Sequence, residues 1–164
     1  MLRETFTAAM RNVASTVSVV STDGPAGRAG VTVSSMTSVS ADAPQPTLLI
    51  CVHHKCSAAP AIIGNRAFCV NVLREDQARI SDYFAGRIRP PDGDRFGCAD
   101  WTTQATGAPR ILDPLVAFDC RLLNSALVGT HHVFIGAVEE IFVGTPGAPL
   151  VYADRSYRAT RPLA

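Results

Sequence analysis

Four histidines in two adjacent pairs carry most of the chemistry this chain could do. His131 and His132 sit in GTHHVFIG (129–136), at the entry to a run of strand-forming apolar residues. His53 and His54 lie between two cysteines in CVHHKC (51–56). Imidazole and thiolate are metal ligands, but structural zinc sites need paired spacings such as CxxC with a second half elsewhere. Cys-x4-Cys around adjacent histidines is not such a spacing. Neighbouring side chains on a strand also point to opposite faces, so four ligands do not readily converge from 51–56, and no metal is expected. By the same alternation, at most one of His131 and His132 faces a given pocket. No Ser/His/Asp or Cys/His constellation is legible, nor HExxH or a P-loop. On the residues alone, each pair stays open between a reactive ring and a polar strand end.

Two other stretches point toward an anion. Lys55-Cys56-Ser57 stands where a short helix is expected to begin, and free N–H groups with a hydroxyl and a lysine nearby make a phosphate site. The segment TVSSMTSVS (32–40) has six hydroxyls in nine residues and no charge. By composition it reads first as an edge strand with a polar outer face, and second as hydroxyls and amides for the rim of a polar heterocycle or a phosphate. The glycines at 24, 27 and 30 are spaced GxxGxxG, and a strand follows, so DGPAGRAG (23–30) is a hairpin turn rather than a dinucleotide fingerprint.

The elements that must position these residues follow from periodicity. Phe6, Ala9, Met10 and Val13 predict an amphipathic helix over 4–13. Strands are predicted at 17–22, through VTVSSMTSVS (31–40), and at 47–52, 67–73, 116–123, 132–143 and 150–152. A short helix opens at Ser57, tolerates Pro60 in its first turn and is closed by Gly64. A second, over 75–85, puts Ile80, Tyr83 and Phe84 on one face and ends at Gly86. Residues 132–138 are apolar in both parities, which predicts a cover on the outer face by a helix or a second subunit. About six strands without βαβ alternation give a mainly β fold, an antiparallel barrel with a few flanking helices.

Composition narrows the function classes. The chain has 164 residues, 47% hydrophobic and 18% charged, with a formal net charge of +1, which predicts a single domain over 1–164. That balance gives no footprint for nucleic acid or an anionic membrane, and no apolar run approaches the roughly 20 residues a membrane span needs. MLRETFTAAMRNV lacks the apolar core of a signal peptide, and five cysteines, three of them in apolar runs, read as reduced thiols. A cytoplasmic location is expected.

Several stretches, in this order, resemble the short-chain flavin reductases, the reductase partners of two-component flavin monooxygenases, and above all the 4-hydroxyphenylacetate type. They are FTAAMRNVASTVSVVST (6–22), GVTVSSMTSVSADAPQPTLLICV (30–52), AFCVNVLREDQ (67–77) with YFAG (83–86), DRF (94–96), GTHHVFIGAVE (129–139) and PLVYADRSY (149–157). The resemblance implies a six-stranded, Greek-key FMN-binding split barrel, homodimeric, with flavin near the subunit interface. It implies that NADH, with NADPH possible, reduces FAD or FMN, and that the reduced flavin leaves for a separate oxygenase. A flavin carrier without turnover is the alternative.

Carried onto this chain, the resemblance lines the flavin ring and ribityl chain with Thr32, Val33, Ser34, Ser35, Ser38, Val39 and Ser40. Cys51, His53, Lys55, Cys56 and Ser57 follow the ribityl chain and phosphate, while Phe84 and Arg87 lie beside that site. His131 matches the family histidine near the flavin and nicotinamide, so it is the functional ring and His132 the structural one. Tyr157 matches the aromatic residue that borders the same pocket. The family commonly has Ser or Thr at the positions of Cys56 and Ala58, so here Ser57 alone keeps a hydroxyl. With histidines at 53 and 54, that departure implies FAD ahead of FMN.

Overall fold

The computed structural model describes residues 1–42 and 44–163. Helix α1 (Leu2–Met10) leads into β1 (Ser15–Thr16), β2 (Ser18–Thr22), β3 (Ala29–Val33), β4 (Thr37–Ser40) and β5 (Thr47–His53). Helix α2 (Ala58–Asn65) and β6 (Ala67–Val72) follow, then a 3-10 turn (Glu75–Gln77) that runs into α3 (Ala78–Phe84). A second 3-10 turn (Arg95–Cys98) precedes β7 (Trp101–Thr103) and β8 (Pro109–Ile111). The long strands β9 (Val116–Val128) and β10 (His131–Val143) are followed by the hairpin β11 (Leu150–Ala153) and β12 (Ser156–Ala159).

The main sheet has the order β3-β2-β6-β9-β10-β5-β4, antiparallel at every pairing. Its two edge strands are consecutive in the chain, which brings its ends together around a core of Val20, Ile50, Phe68 and Phe134. All four side chains are fully buried, each stabilising the fold by about 1.5–3 kcal/mol relative to exposure. The join is made by a side chain. The Ser35 hydroxyl donates to the Cys51 carbonyl at 3.0 Å and accepts from the Cys51 N–H at 2.9 Å, extending the edge of β5 beyond its last partner in β4.

The expected antiparallel barrel is the observed one, with seven strands in the main sheet where the pattern counted about six. The continuous strand expected over 31–40 is broken at Ser34–Met36, because the chain must cross there from one edge of the sheet to the other. Helix α2 does not close at Gly64 but at Arg66, which takes the left-handed conformation at φ 60°. Gly64 stays inside the helix because a β-carbon there would lie 2.5 Å from Ala26, so its job is close approach of the 24–27 turn. The helix expected over 75–85 begins as the 3-10 turn and becomes α-helical at Ala78, and Gly86 at its end has φ 74°. The one expected over 4–13 runs Leu2–Met10 and buries none of its residues. Gly129 heads the two-residue β9–β10 loop with φ 58°, the position where a type II′ hairpin takes glycine.

Cys69 and Cys120 are fully buried, and burial pushes both thiols up, well out of reach of ionisation at neutral pH. Among the described residues, no helix is long and apolar enough to cross a membrane.

Candidate active site

The polar end of the barrel is built where α3, β3 and the β11–β12 hairpin meet. Thr32 projects from β3 toward α3 and donates to the Ser81 carbonyl at 2.7 Å. The hairpin turns through Asp154 and Arg155, both at positive φ, and so swings Tyr157 of β12 back beside Tyr152 of β11. Their rings meet edge to face at 5.7 Å. The Tyr157 hydroxyl bonds to Asp82 Oδ1 at 2.7 Å and Ser81 Oγ at 2.9 Å. Burial raises its pKa, the bond to Ser81 opposes that and the bond to Asp82 adds to it, so Tyr157 is a phenol throughout the neutral range.

Arg87 closes this wall. Its guanidinium pairs with Asp82 at 3.1 Å, donates to the Tyr152 hydroxyl at 3.2 Å, and lies 5.4 Å and 5.2 Å from the ring centres of Tyr152 and Tyr157. Four contacts with three residues fix one planar cation beside two aromatic rings. The cavity they line is about 180 Å³, and Thr32, Val33 and Ser34 line it as well. Ser34 lies between β3 and β4, outside both ladders, and its exposed hydroxyl makes no hydrogen bond among the described residues. A flat heterocycle with a polar rim suits these walls: aromatic rings, one cation, and a hydroxyl and main chain not spent on the sheet.

The histidines gather elsewhere on the barrel. In the β5–β10 register His131 stands opposite His53, and their rings are 5.0 Å apart, edge to face. His54 lies 4.9 Å from His53. All three rings are exposed. Partial desolvation lowers the His53 pKa, and the nearby His54, His131 and Lys55 lower it further. His131 Nδ1 is 3.1 Å from the Thr130 hydroxyl, and Nε2 has no partner among the described residues. His132 instead is half-buried and stacks on Phe134 at 5.5 Å. No cluster of three or more His, Cys, Asp or Glu able to hold a metal occurs among the described residues.

The other residues singled out from sequence divide by whether their polar groups are still available. Ser35 is occupied by the Cys51 backbone, and Ser40 accepts from the Asp42 N–H. Ser38 and Val39 are exposed on β4, and Cys56 packs against the core. Lys55 is exposed, with its N–H on His53 Nδ1 at 3.1 Å. Ser57 precedes α2 as expected, but its hydroxyl makes no cap bond and has no hydrogen-bond partner among the described residues. Phe84, expected beside the phosphate end, is buried at 2% exposure against Phe96 and Trp101, fills the space above Gly30, and lines a cavity together with Ser57. Sequence reasoning did not single out Ser81, Asp82 or Tyr152 for this site. The pattern YADRSY, with two tyrosines flanking a tight turn, was the available signal.

Comparison with known proteins places this geometry in a family. The flavin reductase like domain matches residues 10–161, so the chain belongs to that family. It is 46% identical to FMN reductase (NADH) RutF 2 of Methylorubrum extorquens, over 92% of this chain and 85% of that protein. It is 43% identical to FMN reductase (NADH) RutF of Escherichia coli, over 96% of this chain and 93% of that one. Among solved structures it resembles the Streptomyces globisporus NADH:FAD oxidoreductase SgcE6 in complex with NAD and FAD fragments. The TM-score is 0.86 at 25% identity, covering 98% of this chain and 93% of that one.

Proposed function

We propose that this chain is an NADH:flavin oxidoreductase that reduces a diffusible flavin, FMN ahead of FAD, and hands it to a separate oxygenase. The observation that carries the reading is the cavity lined by Arg87, Tyr152, Tyr157 and Ser34, within a chain that matches the flavin reductase family over nearly its whole length. When bound, flavin accepts hydride from the nicotinamide, and the two cofactors carry that chemistry themselves.

The chain's own residues orient and desolvate. The tyrosine rings and the Arg87 plane limit the tilt of a stacked ring, and fixing reactants in a near-attack geometry lowers the barrier without a protein nucleophile. Ser34 and the amides beside it offer donors to a heterocycle edge. His131, with its Nε2 free, positions the nicotinamide from the barrel end. The preference for FMN, in place of the FAD expected from the departures at Cys56 and Ala58, is supported by the names of the two relatives above 40% identity.

A homodimer accompanies this reading. On α1 and the turn after it Phe6, Met10 and Val13 are 63%, 47% and 50% exposed, and on β9 Leu127 and Val128 are 57% and 64% exposed. A second copy covering these side chains removes that apolar surface from water. Sedimentation at micromolar concentration reads this directly, and a monomer would refute it.

Mixing the protein and NADH with FMN, FAD, riboflavin or no flavin, and following NADH absorbance, tests the function. Oxidation that requires added flavin and is fastest with FMN is expected. Tight flavin retention without NADH oxidation would establish a carrier instead.

A further inference from the structure

Arg87 is the one charged side chain among the described residues that line the cavity with Tyr152 and Tyr157. A lone guanidinium there would favour whatever anion the cavity holds. Arg87 is not alone. Asp82 does not line the cavity, but its Oδ1 accepts from Arg87 Nη1 at 3.1 Å and from the Tyr157 hydroxyl at 2.7 Å. The main chain fastens the same two residues: the Arg87 N–H donates to the Asp82 carbonyl at 2.9 Å, and the Ile88 N–H donates to it at 3.2 Å. The pair of opposite charges leaves this wall electrically neutral.

Stability does not account for the pair. The Arg87 side chain is 48% exposed and that of Asp82 26%, and an ion pair open to water to this degree contributes little to folding. Its effect is felt inside the cavity, where Asp82, the more shielded partner, offsets the charge that Arg87 presents.

Charge is also what the reaction changes. The C4–H bond of the reduced nicotinamide breaks, and hydride, two electrons with one proton, forms a bond to flavin N5. The nicotinamide ring gains one positive charge. The flavin ring arrives neutral and, above neutral pH, departs with one negative charge spread over N1 and O2. A cation standing unopposed beside that ring would hold the product more tightly than the substrate, whereas a neutral pair does not.

We propose that Asp82 is a positioning residue that neutralises Arg87, and that this neutrality keeps the reduced flavin free to leave. The inference rests on the flavin reading above and gives the physical reason why the product is not trapped.

Asp82→Asn isolates the charge, because an amide oxygen still accepts from Arg87 and from Tyr157. Oxidised FMN and dithionite-reduced FMN, each equilibrated with the protein without oxygen or NADH and separated from free flavin by ultrafiltration, give two dissociation constants. Their ratio is the readout. In Asp82→Asn the reduced form is expected to gain about tenfold over the oxidised one, which raises the midpoint potential of bound flavin by about 30 mV for a two-electron couple. Arg87→Gln should move the ratio the other way, since the carboxylate then stands unopposed. Tyr157→Phe breaks a bond to Asp82 without changing any charge, so it should move both affinities together and leave the ratio in place. An unchanged ratio in Asp82→Asn, or an equal loss for both forms, overturns the proposal and leaves the flavin reading intact. An unaltered chain that binds neither form takes down both. If Asp82→Asn does not fold, Arg87→Gln read by the same ratio decides.

Discussion

The wall of Arg87, Tyr152 and Tyr157 and the histidine end at His53, His54 and His131 differ in how their polar groups are held. In the wall every hydroxyl and the guanidinium have partners: Asp82 and Ser81 bind Tyr157, and Arg87 bridges Asp82 to Tyr152. At the histidine end three exposed rings crowd one another near a lysine, and the interactions reported for His53 disfavour its charge. A site that must hold a planar ligand gains from side chains whose rotamers are already fixed by second contacts. A cluster of exposed imidazoles is chemically conspicuous but not preorganised. The wall therefore should dominate rate, and the histidines should tune it.

That contrast can be broken or sharpened in four measurements. Arg87→Ala carries the largest expected effect, lowering kcat/KM for NADH oxidation with FMN about 30-fold, roughly 2 kcal/mol of lost transition-state stabilisation. Steady-state rates check it, and a variant with unchanged kcat/KM would remove the wall from the mechanism. Tyr157→Phe follows at about fivefold, because the ring stays and only the bonds to Asp82 and Ser81 go. As Tyr157 does not titrate in the neutral range, the pH profile of this variant should keep its shape between pH 6 and roughly 9.

His131→Ala is expected to raise the KM for NADH about threefold, roughly 0.7 kcal/mol, whereas His132→Ala should leave KM alone and lower Tm through loss of its stacking on Phe134. The opposite assignment would make His132 the functional ring. The smallest effect is a titration. By NMR, His53 should titrate below its ordinary 6.5 and move up toward it in His54→Asn. Because protonation is harder in the folded chain than in the unfolded one, this ring leaves stability unchanged above pH 6.5 and lowers it as pH falls below.

Much of the barrel was legible because its strands alternate or are continuously apolar: 17–22, 47–52, 67–73 and 132–143 match observed strands to within one residue at each end. Four strands gave no such signal. β1 has two residues and β7 and β8 three each, too short for a period to show. β12 hides behind a turn whose residues are Asp154 and Arg155, both at positive φ where Asn-Gly is the recognisable pair. Its omission mattered, since β12 carries Tyr157 in register with Tyr152. In the hydroxyl segment composition marked a polar stretch. It did not show that Ser35 closes the barrel onto Cys51 while Ser34 stays free, because that depends on which residue falls at the crossing between sheet edges.

By itself the sequence determined the antiparallel barrel, the helix end at Gly86, the burial of two of the three cysteines in apolar runs (Cys69 and Cys120, with Cys51 half-buried), and, through its ordered motifs, the family. Those are properties of local periodicity, of backbone conformations only certain residues adopt, and of motif order. The tertiary structure alone decided that Asp82 links Arg87 to Tyr157 across 75 residues, that Phe84 serves the core, and that Arg28 meets Asp94 from 66 residues away. Such meetings are set by how strands register and how a helix lies on them, and pairwise spacing along the chain does not encode that.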